Sequence, residues 1–367
     1  MEKSIARVKR EKRKIIDQYA KPDNVKGMTQ VVTTLVPLAA LWYVVAPSAE
    51  VSYWLTAGIT AVMTLFLLRV FVLMHETGHG SLFRTGWLNK AFGFVFGVLS
   101  GLSTYVWSKH HAFHHSTNGN WDKYRGPLNT RSTAEFEAMT DKQQRSYERA
   151  RNIWMAPFGG FSYLIFSPRY TWLKGSLNLV CHLVRRKIAE PRVSVRAHAA
   201  EFKTPYWNDA AEYWQMFWNN VAVLSAWALM SWYVGPALFF TVYLISTSLA
   251  GGAAIVLFAV QHNFHHSYAS GTETWDYDTA AIRGTSFLVF PRWLNWFTAN
   301  IAYHHVHHLS ATIPNYCLVA CHNEHQDLFV DVTRVKLSRI HIALKHILWD
   351  TRSQRIISVA EYRKNCA

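Results

Sequence analysis

Four histidines fall within five positions of the stretch Tyr303-His304-His305-Val306-His307-His308-Leu309. On a helix, His304, His307 and His308 stand at i, i+3 and i+4 and share one face, with His305 about a quarter-turn away. Three imidazoles on one turn are costly to desolvate unless their lone pairs are used, and a metal is the usual user. One turn does not complete a metal shell, so further ligands must come from elsewhere. Three other groups offer them: His75 and His79; His110, His111, His114 and His115; His262, His265 and His266.

The stretch His111-Ala-Phe-His114-His115 repeats the H-x-x-H-H spacing, which favours His111 as a ligand and leaves His110 outside the set. His75 and His79 are one helical turn apart, and His262 lies as far past an apolar run as His75 does. His265 and His266 have no such support. Nine imidazoles then converge: His75, His79, His111, His114, His115, His262, His304, His307 and His308. Nine is too many for one ion and suits two at four or five ligands each, with room for water or O2. An all-imidazole shell fits iron, zinc or copper and not magnesium or calcium. Groups that hydrogen-bond such ligands fix their tautomers; Glu76, His110, Asp122, His266, Asp276 and His305 are the candidates.

His75-Glu76-Thr-Gly-His79 is also a literal H-E-x-x-H, the zinc metalloprotease pattern, with Glu76 available as general base. Such a site takes three protein ligands and a water, and would leave three histidine groups without a use. Iron fits better. The groups adjoin apolar runs long enough to cross a bilayer, so the substrate is hydrophobic. Unactivated C–H bonds yield to metal–oxygen chemistry, which redox-inert zinc does not supply.

The elements that must position the histidines follow from those runs. Spans are expected over 29–46 (with Pro37 inside), 53–74, 214–232 and 236–260, joined in two hairpins by short turns at 47–52 and 233–236. Segment 91–107 is apolar but Gly- and Ser-rich and too short to cross, so it reads as a re-entrant or interfacial helix. Segment 155–173 reads as lying on the membrane, 286–299 as an aromatic interfacial helix, and 337–349 as an amphipathic helix. Gly251-Gly252 permits close helix approach, and Arg69, near the end of the second span, must snorkel or find a partner. The fold class is an all-α multi-pass membrane protein. Its four transmembrane helices carry a cytoplasmic helical cap that holds a histidine-rich di-metal site. It forms a single domain over 1–367: a basic, interfacial or partly disordered arm at 1–28, spans and cap over 29–262, cap with the last histidine group over 263–350, and a tail at 351–367.

The formal net charge is +15. Lys and Arg crowd the first 26 residues and the segment 145–203, whereas the turns 47–52 and 233–236 carry none. That asymmetry puts both termini and every histidine group in the cytoplasm. Charge beside spans suits anionic lipid headgroups and argues against nucleic acid. Cys181, Cys317, Cys321 and Cys366 include no C-x-x-C pair and are expected as free thiols. The basic N-terminus is too long for a cleavable signal peptide.

Together these residues resemble the membrane-bound fatty-acid desaturases. His75-x-x-x-His79, His111-x-x-His114-His115 and His304-x-x-His307-His308 look like that family's three histidine boxes. Val260-Gln-His-Asn-Phe264 and Trp275-Asp-Tyr277 lie where the family has an extra histidine and a tryptophan-acid pair. Gly284-Thr-Ser-Phe287, the run Trp296 to Leu309 and Ile313-Pro-Asn-Tyr316 are similar to the bacterial acyl-lipid branch. The resemblance covers roughly 25–350. It implies a di-iron centre at the junction of bundle and cap, with O2 as co-substrate and a cis double bond placed in a fatty acyl chain of a membrane lipid. It also implies a separate electron donor, a ferredoxin or similar, since no His-Pro-Gly-Gly haem motif is present. Two departures stand out: His265 and His266 replace an acidic residue often found there, and the first box reads Glu-Thr-Gly between its histidines. The rival readings are a lipid hydroxylase of the same di-iron class, the zinc protease, and a non-enzymatic metal-binding receptor.

Overall fold

A computed structural model describes residues 2–126 and 128–366. Two long helices open the bundle: α2 (Asn24–Val51) and α3 (Tyr53–Gly78). Asp23 starts α2, its carboxylate accepting from the amides of Val25 and Lys26. The break between the two helices is a single extended residue, Ser52, whose hydroxyl caps Trp54. The expected turn over 47–52 is therefore mostly helix. Pro47 is accommodated inside α2, as is Pro37.

Helices α4 (Gly86–Ser100) and α5 (Thr104–Thr117) meet at 96°, the bend centred on Gly101 in the left-handed region (φ 75). This broken pair replaces the 91–107 helix and turns α5 across the end of the bundle. Next come α6 (Ala156–Gly160), a π-turn segment Phe161–Phe166, and α7 (Ser167–Ala189). A helical hairpin follows, with α8 (Ala210–Val234) and α9 (Pro236–His262) joined through Gly235. Among the described residues three helices, α2, α3 and α9, are long and apolar enough to cross a membrane, and the bent pair α4–α5 is a fourth if counted as one span. Helix α8, expected as the third span, has the length, but Asn219, Asn220 and its indole- and phenol-bearing residues dilute its apolarity.

Small residues let α6 lie against α9. A Cβ on Gly251 would stand 2.8 Å from Cα of Gly160, and one on Gly252 would stand 2.8 Å from the carbonyl carbon of Ala156. Arg69, buried in α3, finds its partners within the protein. It donates to Thr34 Oγ1 (2.9 Å), to Gln30 Oε1 (3.2 Å) and to the carbonyl of Trp296, with its guanidinium 4.0 Å from the centroid of that indole.

The remainder forms short elements beside the ends of the long helices, among them α10 (Tyr277–Arg283), α11 (His304–Leu309), α12 (Asn315–Glu324) and, among the described residues, five strands. Strands make the chain mostly helical rather than all-α. Ser286–Val289 (β2) pairs in parallel with Thr333–Lys336 (β3), and Pro291 separates β2 from a helix at Arg292–Phe297, so the 286–299 helix is divided. The 337–349 helix is absent. A 3-10 turn and a four-residue helix give way to His346–Asp350 (β4), which pairs with Arg131–Ser132 (β1) and Arg355–Ser358 (β5).

The basic arm is folded too. Residues Glu2–Tyr19 form α1, whose Ile5, Val8, Ile15 and Tyr19 are buried against Ile282, Val306, Leu309 and Leu318 of α10, α11 and α12. Lys9, Lys12 and Arg7 pair with Asp276, Asp278 and Asp327 at 2.7, 2.8 and 2.6 Å. An apolar stripe at helical spacing lay beneath the basic residues. Cys181, Cys317 and Cys321 are free thiols; the Cys366 side chain lies outside the described residues.

Candidate metal centre

Four helices end at one place. Helix α3 delivers His75, with His79 capping its end; α5 delivers His111, His114 and His115; α9 ends on His262; α11 carries His304, His307 and His308. These nine side chains form two groups in which one ligand atom per residue lies within 4.8 Å of every other. The first contains His75, His79, His111, His115 and His307; the second contains His114, His262, His304 and His308. The i, i+4 pairs stay together (75/79, 111/115, 304/308), and the i+3 member of each triple crosses to the other group. Consecutive residues thus serve different groups, with the rings of His115 and His308 stacked 4.2 Å apart between them.

The Nε2 atoms face inward. Five pairs stand close: His75–His79 at 3.3 Å, His111–His115 and His115–His307 at 3.0 Å, His114–His308 at 3.2 Å and His262–His304 at 3.0 Å. Two imidazole nitrogens about 2.1 Å from one ion, separated by roughly 90–110°, lie roughly 3.0–3.4 Å apart. The tautomers agree. His75 Nδ1 donates to Glu76 Oε1 (3.0 Å) and His262 Nδ1 donates to the Gly284 carbonyl (3.1 Å), which leaves both Nε2 atoms as bare lone pairs. A cation between facing Nε2 atoms would draw the lone pairs of both rings of each pair inward. Burial also holds His304, His307 and His308 well below the ordinary imidazole pKa, and His79 at about 3, so these rings are in the neutral, ligating form. The donor set fits two transition-metal ions.

Glu76 is fully buried and faces away from the Nε2 atoms. Its Oε2 accepts from Ser81 Oγ (3.1 Å) and from the amide of Asn315 (3.0 Å), the first residue of α12. A helix N-terminus is a favourable place for a carboxylate. A carboxylate engaged on the Nδ1 side of His75 does not reach a metal-bound water, so the H-E-x-x-H protease geometry is not formed.

The other five residues expected to support the ligands lie elsewhere. His110 is exposed. Asp122 accepts from the Thr272 amide (2.7 Å), and Asp276 caps α10 and pairs with Lys9. His266 sits at φ 64 against Arg355. His305 turns from the groups and bonds His322 Nδ1 (2.8 Å) beside Phe329.

Several supports had escaped sequence reading. Besides the Gly284 carbonyl and the Asn315 amide, the Tyr277 hydroxyl donates to the His308 carbonyl (3.0 Å), Gln261 to the Ile301 carbonyl (2.8 Å), and Trp107 stacks on His111 at 4.5 Å. Backbone groups leave no trace in residue type. Tyr277, Gln261 and Asn315 did carry a signal, since each lies in a string quoted above for its resemblance.

Comparison with known proteins agrees with this geometry. The fatty acid desaturase family model matches residues 52–336, which carry all nine histidines. The chain belongs to the fatty acid desaturase family. It is therefore an oxidoreductase. A fatty acid desaturase of Bacillus subtilis (strain 168) is 30% identical over 358 residues, covering 97% of this chain and 92% of the relative. The sn-1 oleoyl-lipid 12-desaturase of Anabaena variabilis is 21% identical over 309 residues, covering 83% of this chain and 78% of the relative. In this desaturase the apolar helices, the bent pair and the two histidine groups form one continuous unit.

Proposed function

We propose that this desaturase acts on an acyl chain esterified in a membrane lipid and places one cis double bond in it, using O2 and two electrons at a pair of irons. The convergence of nine buried histidines into a group of five and a group of four supports the two-iron reading. The Anabaena variabilis relative, named for a lipid-linked oleoyl substrate, supports the acyl-lipid reading. The balance is fixed by chemistry: two hydrogens from adjacent methylenes, O2, two electrons and two protons give the alkene and two waters. Those electrons require an outside donor, a ferredoxin or similar protein.

Iron bound at the two groups would supply the dioxygen chemistry that breaks unactivated C–H bonds. The protein's own part is positioning. Glu76 and the Gly284 carbonyl hold one imidazole of each group in the ligating tautomer, and α12 holds Glu76 through the Asn315 amide. Trp107 and Phe258 cover the imidazole rings of α5 with apolar surface, which keeps bulk water from them. The apolar spans would hold the acyl chain, so that the methylenes nearest the histidines set bond position. The accompanying topology is four spans with cap, both termini and site in the cytoplasm.

Expression in a host lacking the activity, followed by mass spectrometry of its lipids, tests the reading. A new monounsaturated acyl chain on lipid is expected, absent with His308→Ala. A hydroxy lipid as sole product, or activity indifferent to anaerobiosis, would refute it.

A further inference from the structure

Outside the histidine groups, an open pocket of about 330 Å³ is lined by Asn129, Arg131, Met139, Gln143, Ser146, Tyr147 and Arg151. Two guanidinium groups face it and no carboxylate does. The Arg131 guanidinium makes no hydrogen bond among the described residues. It forms one long ion pair, with Glu135 Oε1 at 3.7 Å, and the other oxygen of that carboxylate is held by Arg125 at 2.5 Å. Arg151 has no acidic partner. It donates to the carbonyls of Tyr147, Leu128 and Asn129 and lies 3.5 Å from the Tyr147 ring centroid. Three of its five N–H donors are thereby used, and Nε is buried with no acceptor. Burial, and secondarily the charge of Arg131, lower the Arg151 pKa, as expected of two cations sharing one hollow. An anion between them would relieve the repulsion and accept from Arg131 and from the one Nη1 hydrogen of Arg151 not already used, Nε being buried out of its reach. Arginine pairs with unused N–H groups are suited to phosphate.

The surroundings of this pocket suit a membrane surface. Immediately after Arg151 come exposed Ile153, Trp154 and Met155, then exposed Phe158 and Phe161, an aromatic strip of the kind that sits at headgroup level. The pocket is also tied to the metal centre. Thr130, between two lining residues, accepts from Asn263 Nδ2 (3.1 Å), and Asn263 follows ligand His262. We propose that Arg131 and Arg151 form a binding site for the phosphate of a glycerolipid headgroup, which anchors a lipid beside the exposed aromatic strip 153–161. The identity of that lipid as substrate rests on the acyl-lipid reading above; the phosphate site itself does not.

The test uses the full metal-loaded chain in detergent and calorimetric titration with three probes: dihexanoyl phosphatidic acid, dihexanoylglycerol and inorganic phosphate. Ser146 is exposed and makes no hydrogen bond among the described residues, so Ser146→Glu brings a carboxylate to the pocket without disturbing a packed position. Phosphatidic acid should bind saturably, dihexanoylglycerol should not, and Ser146→Glu and Arg131→Gln should each weaken phosphatidic acid at least tenfold at unchanged melting temperature and iron content. Equal phosphatidic acid affinity in wild type and both variants would overturn the site. Inorganic phosphate binding as tightly as phosphatidic acid, and competing with it, would overturn the lipid as its source in favour of the free anion. Intact phosphatidic acid binding by a chain that desaturates no lipid would sink the acyl-lipid reading alone.

Discussion

Glu76 has three jobs within 3.1 Å: it orients His75, accepts from Ser81, and ties α12 to α3 through the Asn315 amide. Replacing it with Gln preserves volume, but the amide must turn its NH2 toward one of three donors. Loss of such a partner typically costs 10–100-fold in metal affinity, so Glu76→Gln should lose iron to a chelator that leaves the wild type loaded, at unchanged helical circular dichroism. The ligand partition gives a second prediction at this scale. His262→Ala leaves the four-membered group with three imidazoles and should lower bound iron from two per chain toward one, measured by mass spectrometry of the metal. His110→Ala, at an exposed ring, should leave two. The nine positions were legible because helical spacing and apolar flanks single them out. Their division was not, because whether an i+3 residue joins its i+4 neighbour or the opposite group depends on the angle between α5 and α11. That angle is a tertiary quantity. Backbone partners such as the Gly284 carbonyl were illegible for a simpler reason: every residue has one.

At the level of elements, the contact between α6 and α9 depends on having no side chain at Gly160, Gly251 and Gly252. Gly251→Val would drive a branched side chain into the backbone of Gly160. Overpacking of this kind costs about 1–3 kcal/mol or more, and the variant should show a lower melting temperature by fluorescence-detected size exclusion. The N-terminal helix invites a different test. Its ion pairs are half-exposed, so each contributes little, and the buried stripe of Ile5, Val8 and Ile15 does most of the holding. The Arg7 guanidinium keeps the Asp327 carboxyl below its usual range. A carboxyl lowered in the folded state stabilises above its unfolded value, about 3.9, and that contribution is lost only as pH falls through the lower folded value. Trypsin cleavage at Arg10 and Arg13, taken relative to an unstructured control peptide at each pH, should therefore not change between about pH 5 and 7. Ile15→Asp, which puts a charge in the buried stripe, should accelerate it strongly. The long spans α2, α3 and α9 were readable from apolar length alone. The strands were not. A four-residue apolar run such as Ser286–Val289 has no period to distinguish helix from strand, and its partner Thr333–Lys336 lies far along the chain. The arm 1–28 misled because its basic residues dominate composition while its stripe has only a few members.

For the molecule as a whole, the asymmetry of Lys and Arg predicts an orientation that can be measured with one native thiol. Cys181 is exposed on α7, four residues before Arg185-Arg186-Lys187. If the basic segments lie in the cytoplasm, a membrane-impermeant maleimide should label Cys181 in inside-out vesicles and spare it in spheroplasts, with Cys181→Ser as the blank. Glu50→Cys, at an exposed position beside the break between α2 and α3, should give the opposite pattern in a Cys181→Ser background. The pairing matters because the two helices of this hairpin return the chain to the side it left. If the bent pair α4–α5 does not cross, His75 and His79 at the far end of α3 share the side of α7, and with α8 and α9 as a second hairpin so does His262. Labelling of Cys181 from outside would place its basic segment on the wrong face. Labelling of both thiols from one side would mean that α2 and α3 do not cross, and a histidine centre at the mouth of a membrane bundle would lose its geometric basis.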